Sequence, residues 1–185
     1  ADCVTLWLYP GGHVVHYPVS NWRNFNIVAA VDSLPLPEGW NRISDGETLL
    51  KGFAESDETL HSLIAAPTAW MTWAGADLPE LPRWSRGNIV LTGDAAHATL
   101  PYLAQGAVMA LEDACGIAQH LHRSMPVNES FAAHEAERQP RAARIQAESR
   151  SLGNLYHARG LKALGRNLAL TAMGQDAAIR RNAWI

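Results

Sequence analysis

The chain has 185 residues, 48% of them apolar and 18% charged, with a formal net charge of −3. That is enough apolar sequence for one sizeable core or parts of two, and seven tryptophans exclude a disordered chain. No basic block argues for nucleic acid, and no apolar run nears the ~18 residues of a membrane span, so neither partner is expected.

The opening Ala1-Asp2-Cys3-Val4 lacks the basic-then-apolar pattern of a secretory leader, and Cys3 and Cys115 have no metal-like spacing. A cytoplasmic protein with reduced thiols is the expectation. No initiator Met is present, and a strand pattern begins almost at once, as expected of a piece of a larger fold. Val4 to Tyr9 reads as that strand, ended by Pro10-Gly11-Gly12, with His13 to Val19 as its hairpin partner and Asn24 to Val31 as a third strand. Asp32 to Asn41 reads as a loop. Leu60, Leu63 and Ile64 recur at helical spacing within Glu58 to Ala66, before Pro67. Pro79 and Pro82 mark an extended connection.

Asn88-Ile89-Val90-Leu91-Thr92 is apolar on both faces and closed by Gly93-Asp94, the pattern of a buried parallel strand. Gly106 to His122 predicts a helix with Val108, Leu111, Ala114, Ala118 and Leu121 along one stripe. From Ser130 the pattern stays helical, with interruptions expected at Pro140, Gly153, Gly160, Gly165 and Gly174.

The strand-loop-helix carries the chemistry. An Asp after a strand's carboxyl end stands where open α/β sheets bind ligands, and its carboxylate can accept bonds from sugar hydroxyls. Asp94 fits that description, and it fits equally a turn-forming Asp that bonds its own backbone. Gln105-Gly106-Ala107 opens the next helix, whose N-terminus carries partial positive charge and free N–H donors. Gly106 lets a flat ligand approach the backbone, or simply eases a loop into a helix.

Taken together, Gly93-Asp94-Ala95-Ala96-His97, Pro101, Gln105-Gly106-Ala107 and Leu111-Glu112-Asp113-Ala114 resemble the second flavin-binding motif of the FAD-dependent aromatic monooxygenases. The resemblance extends to Trp84-Ser85-Arg86-Gly87-Asn88, to Glu137-Arg138-Gln139-Pro140-Arg141 with His157 beyond, to the hairpin from Gly12-His13 to Tyr17-Pro18, and to the terminal Asn182-Ala183-Trp184-Ile185. Within the family the chain is most similar to the salicylate hydroxylase-like branch. The resemblance implies that Asp94 holds a ribityl hydroxyl of FAD. It places the N–H groups near Gly106 and Ala107 against N1 and the C2 carbonyl, with Gly93, Pro101 and Gln105 in the same cofactor site. A helix N-terminus suits the anionic N1 of reduced flavin. Pro101 and Tyr102 are implied substrate neighbours. At this pair the chain matches neither the hydroxybenzoate nor the hydroxynicotinate members, which leaves the substrate open within the class. Glu112-Asp113 reads as structural, bonding the flavin-loop backbone, because neighbours on a helix do not face each other.

On the hairpin strand, alternation puts His13, Val15 and Tyr17 on one face and His16 on the other. His13 and Tyr17, roughly 13 Å apart, can flank an aromatic ring, and the resemblance implies an acid–base role for both. A phenol is about three units from ionising at pH 7, a cost of roughly 4 kcal/mol, and electrophilic oxygen transfer needs the phenolate. An imidazole suits that task. Without the family, the same residues read as an ordinary polar sheet face. Trp7 and Trp22 read as core, with the lining of a pocket as the alternative.

No Gly-x-Gly-x-x-Gly occurs, so the pyrophosphate cradle of FAD is missing from the sequence. The chain therefore reads as the C-terminal portion of a mixed α/β (α+β) flavoprotein hydroxylase fold. Its expected parts are an antiparallel substrate-domain sheet (1–83), the second FAD-motif unit (84–125) and C-terminal helices (126–185). The expected partners are FAD, NADH or NADPH, a small aromatic substrate and an N-terminal FAD-binding half, with a homodimer left open. Alone, the chain is expected to bind FAD weakly and not to turn over. Decarboxylative hydroxylation or epoxidation on the same scaffold, a non-catalytic chain docking on a separate FAD-bearing half, and a plain α/β binding module are the rival readings.

Overall fold

The computed structural model describes residues 3–32, 42–44, 46–181 and 184. The loop expected over Asp32 to Asn41 and the terminal tetrapeptide therefore lie almost wholly outside the described residues. The chain forms two compact units: a sheet unit, made of the residues up to Ala74 and those from Asn154 onward, and a motif unit from Gly75 to Gly153.

In the sheet unit, β1 (Thr5–Tyr9), β2 (Gly12–Val19) and β3 (Asn24–Val31) form an antiparallel meander in the order β1-β2-β3. Val14 stands opposite Trp7 and Ala29, and the face they share packs on Phe53, Leu60 and Ile64. Leu60 and Ile64 lie on α2 (Glu58–Ala65), capped by Asp57, whose carboxylate accepts from the Thr59 N–H at 2.8 Å. Each such fully buried side chain contributes about 1.5–3 kcal/mol. Trp7 packs against this cluster, as expected of a core residue, while Trp22 is exposed. Two short strands, β4 (Arg42–Ser44) and β5 (Trp70–Thr72), pair antiparallel, and α1 (Glu47–Gly52) precedes α2.

In the motif unit, β6 (Ser85–Arg86) and β7 (Ile89–Val90) lead into α3 (Asp94–His97), a 3-10 turn over Pro101–Leu103, and α4 (Gly106–His122). The long α5 (Val127–Tyr156) packs the unit together, and α6 (Gly160–Arg181) follows. The expected mixed α/β class, with an antiparallel sheet, a strand-loop-helix and C-terminal helices, is what the chain forms.

Three local expectations are corrected. The buried parallel strand over Asn88–Thr92 is instead a two-residue antiparallel partner of β6, with Ile89 71% exposed. No other described strand lies beside it, so its backbone bonds go to the local hairpin. The apolar stripe of α4 is the outer face: Val108, Leu111 and Leu121 are exposed, while Met109, Asp113 and His120 are buried. Polar bonds to α5, rather than apolar periodicity, choose the inner face.

Among the described residues up to Arg181, the helical tail breaks only between Tyr156 and Gly160. Pro140 lies inside α5, whose turns on either side of it are anchored by Arg138 and Arg141, so the lost N–H bond does not end the helix. Gly153 continues α5 too. A Cβ there would come within 2.5 Å of the Tyr102 ring, so this glycine serves close packing.

Candidate functional site

The centre of the motif unit is the turn at Gly93. Its backbone (φ 55°, ψ −139°) belongs to glycine, and a Cβ would meet that of Ala110 at 3.3 Å. Asp113 on α4 fixes this turn. One carboxylate oxygen accepts from the Gly93 N–H at 2.9 Å and from His97 Nε2 at 2.6 Å, while the other accepts from Arg138 Nε at 2.9 Å. Burial opposes charge on Asp113, but the bonds from His97, Gly93 and Arg138 outweigh it and pull the carboxyl down to about 2. Arg138 also meets Glu112, which Arg141 grips with two nitrogens at 2.7 and 2.8 Å. The Glu112-Asp113 pair is thus structural, Asp113 bonding the loop backbone while both carboxylates meet Arg138.

That scaffold presents Asp94 in the first turn of α3, exposed. The loop beyond is pinned to α5: Ser149 Oγ donates to the Leu100 carbonyl at 2.6 Å and Gln146 to that of Ala98 at 2.9 Å. Pro101 stays exposed, and Tyr102 leans on Gly153. At α4 the first intrahelical bond runs from Met109 N–H to the Gln105 carbonyl, leaving the N–H groups of Gly106, Ala107 and Val108 without an acceptor inside the helix. No side chain caps that end. A Cβ on Gly106 would meet nothing within 4 Å, and Gln105 Oε1 is buried with no hydrogen-bond partner. An orphaned acceptor, three free donors and open space over a glycine fit a flat, polar-edged ring system with an anionic edge.

The structure thus gathers Gly93, Asp94, Pro101, Tyr102, Gln105, Gly106 and Ala107 in one unit. His13 and Tyr17 belong to the sheet unit. There His13 is buried and stands opposite Leu8 and Ala30, and Tyr17 stands opposite Asn26, whose amide donates to the Tyr17 hydroxyl at 2.8 Å. His13 Nδ1 lies 2.8 Å from His157 Nε2, and burial, with His157 adding to it, lowers the His13 imidazole to about 4.

Sequence reasoning gave no role to His97, whose Nε2 bond locks the Asp94 turn, and missed Asp32. The signal for His97 stands in the motif itself, a histidine three residues after the aspartate. Asp32 carries none, being paired only through the fold.

Residues 45–149 match the family described as FAD binding domain. The chain is 35% identical over 181 residues to 3-hydroxybenzoate 6-hydroxylase of Klebsiella oxytoca, covering 97% of this chain and 46% of that protein. It is 34% identical to a salicylate hydroxylase of Pseudomonas putida, covering 91% and 43%. A solved salicylate hydroxylase substrate complex superposes with a TM-score of 0.78 at 28% identity, covering 95% of this chain and 46% of that one. The chain thus spans about half the length of the relatives it matches.

Proposed function

The chain belongs to the FAD binding domain family, and we propose that it is the C-terminal part of an FAD-dependent monooxygenase that hydroxylates a phenolic aromatic acid using NADH or NADPH and O₂. The observation that carries this reading is the Gly93 turn, locked by buried Asp113 so that Asp94 is presented beside a helix whose N-terminus is uncapped and open.

In this reading Asp94 accepts a hydroxyl from the cofactor's sugar-like chain. The N–H groups of Gly106 and Ala107 hold the anionic edge of its ring system. Gln105 Oε1, orphaned in its buried position, takes a ring N–H. FAD supplies the redox and oxygen-transfer chemistry when bound. Pro101 and Tyr102 line the substrate's approach, and the N-terminal half of the protein supplies the pyrophosphate cradle absent from this sequence.

His13 removes the phenolic proton, which raises the electron density of the ring, and Tyr17, at the far end of the same strand face, is the second acid–base group toward the aromatic acid. Names of relatives such as 3-hydroxybenzoate 6-hydroxylase support a phenolic acid. The test is stopped-flow kinetics of the full-length enzyme with hydroxybenzoates. His13→Ala and Tyr17→Phe are expected to slow hydroxylation by about tenfold to a thousandfold while leaving flavin reduction within a few-fold. Equal losses in both half-reactions contradict the acid–base assignment.

A further inference from the structure

Three residues of α5 hold the loop that joins α3 to α4. Gln146 Nε2 donates to the Ala98 carbonyl at 2.9 Å, Ser149 Oγ donates to the Leu100 carbonyl at 2.6 Å, and the Tyr102 ring lies over Gly153. All three α5 residues are buried. Their spacing of three and then four positions sets them in one row on the helix, about 10 Å long. The loop meets that row with every second residue, Ala98, Leu100 and Tyr102, as an extended segment of about 13 Å does. Leu100, at its centre, has that extended backbone (φ −62°, ψ 147°).

The third point differs from the first two, because it is a glycine inside a helix. Glycine is the poorest interior helix residue after proline. Gly153 does not have the left-handed backbone that favours glycine in turns. What it supplies is space. A Cβ at 153 would stand 2.5 Å from Tyr102 Cε2 and 3.0 Å from Cζ. The Tyr102 backbone has little room to yield, being held on both sides. Before it, Ser149 grips Leu100; after it, the Ala104 N–H donates to the Pro101 carbonyl at 3.1 Å, with Ala104 itself left-handed at φ 53°. A side chain at 153 therefore drives the Tyr102 ring off α5, by about 1 Å to reach ordinary carbon contact.

We propose that Gly153 is a positioning residue for the aromatic substrate: by letting the Tyr102 ring lie back on α5, it keeps open the approach that Pro101 and Tyr102 line. This rests on the phenolic-acid reading of the site and adds to it a residue with no substrate contact of its own. The division of work along α5 follows from the chemistry of the three side chains. Gln146 and Ser149 bond carbonyls and so fix where the loop runs. Gly153 bonds nothing and fixes where the ring stops. The approach is sensitive to that stop, since a difference of one methylene in a ring-sized pocket is worth about tenfold or more in selection.

The experiment uses the full-length FAD-loaded enzyme, with 3-hydroxybenzoate as the probe and the change in flavin absorbance on binding as the readout. Gly153→Ala is expected to raise the Kd of the probe by about tenfold, with FAD affinity and the hydroxylation rate at saturating probe each within about threefold. In a Tyr102→Ala background the same substitution is expected to leave Kd within about twofold, because no ring is left to displace. A glycine that serves the helix alone would cost the same in both backgrounds. That result, or an unchanged Kd for Gly153→Ala in the otherwise wild-type enzyme, overturns the proposal. Should Gly153→Ala alone fail to hold FAD, the double variant is expected to recover it, and loss in both also overturns the proposal. A wild-type enzyme that binds no hydroxybenzoate overturns the phenolic-acid reading and the proposal with it, and the wild-type titration tells that failure from the others.

Discussion

Asp113 has no solvent exposure, yet three donors from three parts of the chain keep it charged. Removing it leaves Arg138, 7% exposed, without its buried counter-charge and frees the Gly93 N–H. Asp113→Ala is therefore expected to destabilise the protein by about 3–5 kcal/mol in urea titrations, whereas a loss under ~1 kcal/mol contradicts the network.

His13 sets a pH signature. Its folded value, about 4, lies below the ordinary 6.5, so between those values the unfolded chain binds more protons. Stability is then expected to fall as pH drops from 6.5 to about 4, by roughly 3 kcal/mol from this residue, with buried His134, also lowered by burial, adding in the same direction. His13→Asn flattens that slope in urea titrations across pH; an unaltered slope contradicts the burial argument. Asp113, held near 2, adds its own loss only below about pH 4. The position of Asp94 after a strand, and the structural nature of Glu112-Asp113, are legible in sequence because each is a local pattern. The partners of His97, Arg138 and Asp32 are not, because those bonds join residues 16, 25 and 125 positions apart.

Among elements, the meander was readable almost to the residue, since turn residues and period-two alternation both mark it. α4 was readable in extent but not in orientation. Its apolar stripe predicts one buried face, whereas the ion pairs of Asp113 and the His120–Glu137 contact at 2.9 Å turn another inward. α5 overrides Pro140 because side chains along it bond the segments from Asp77 to Leu100. In the proposed site the Gly93 turn joins these elements to the cofactor. Gly93→Ala forces a side chain into glycine-only backbone against Ala110, a strain of about 1–3 kcal/mol. It is expected to weaken FAD binding by about tenfold or more in a flavin-fluorescence titration, with helical circular dichroism retained; unchanged affinity contradicts the role given to the turn.

For the molecule as a whole, two units of distinct make-up lie in one chain: an apolar core around Val14 and Phe53, and a polar one around Asp113. No described helix is long and apolar enough to cross a membrane. The chain spans 46% of its hydroxybenzoate hydroxylase relative, and its sequence resembles the second flavin motif of that family and holds no Gly-x-Gly-x-x-Gly. Ile89, Leu111 and Leu121 on the motif unit are exposed in this chain, although the sequence pattern marks them as buried. The most direct measurement is a titration of FAD into the full-length enzyme and its Asp94→Ala variant, followed by flavin fluorescence. Loss of a charge-assisted bond is expected to weaken binding by about tenfold to a hundredfold with the fold intact. Equal affinity in the two proteins contradicts the claim that the Asp94 turn and the head of α4 hold the cofactor.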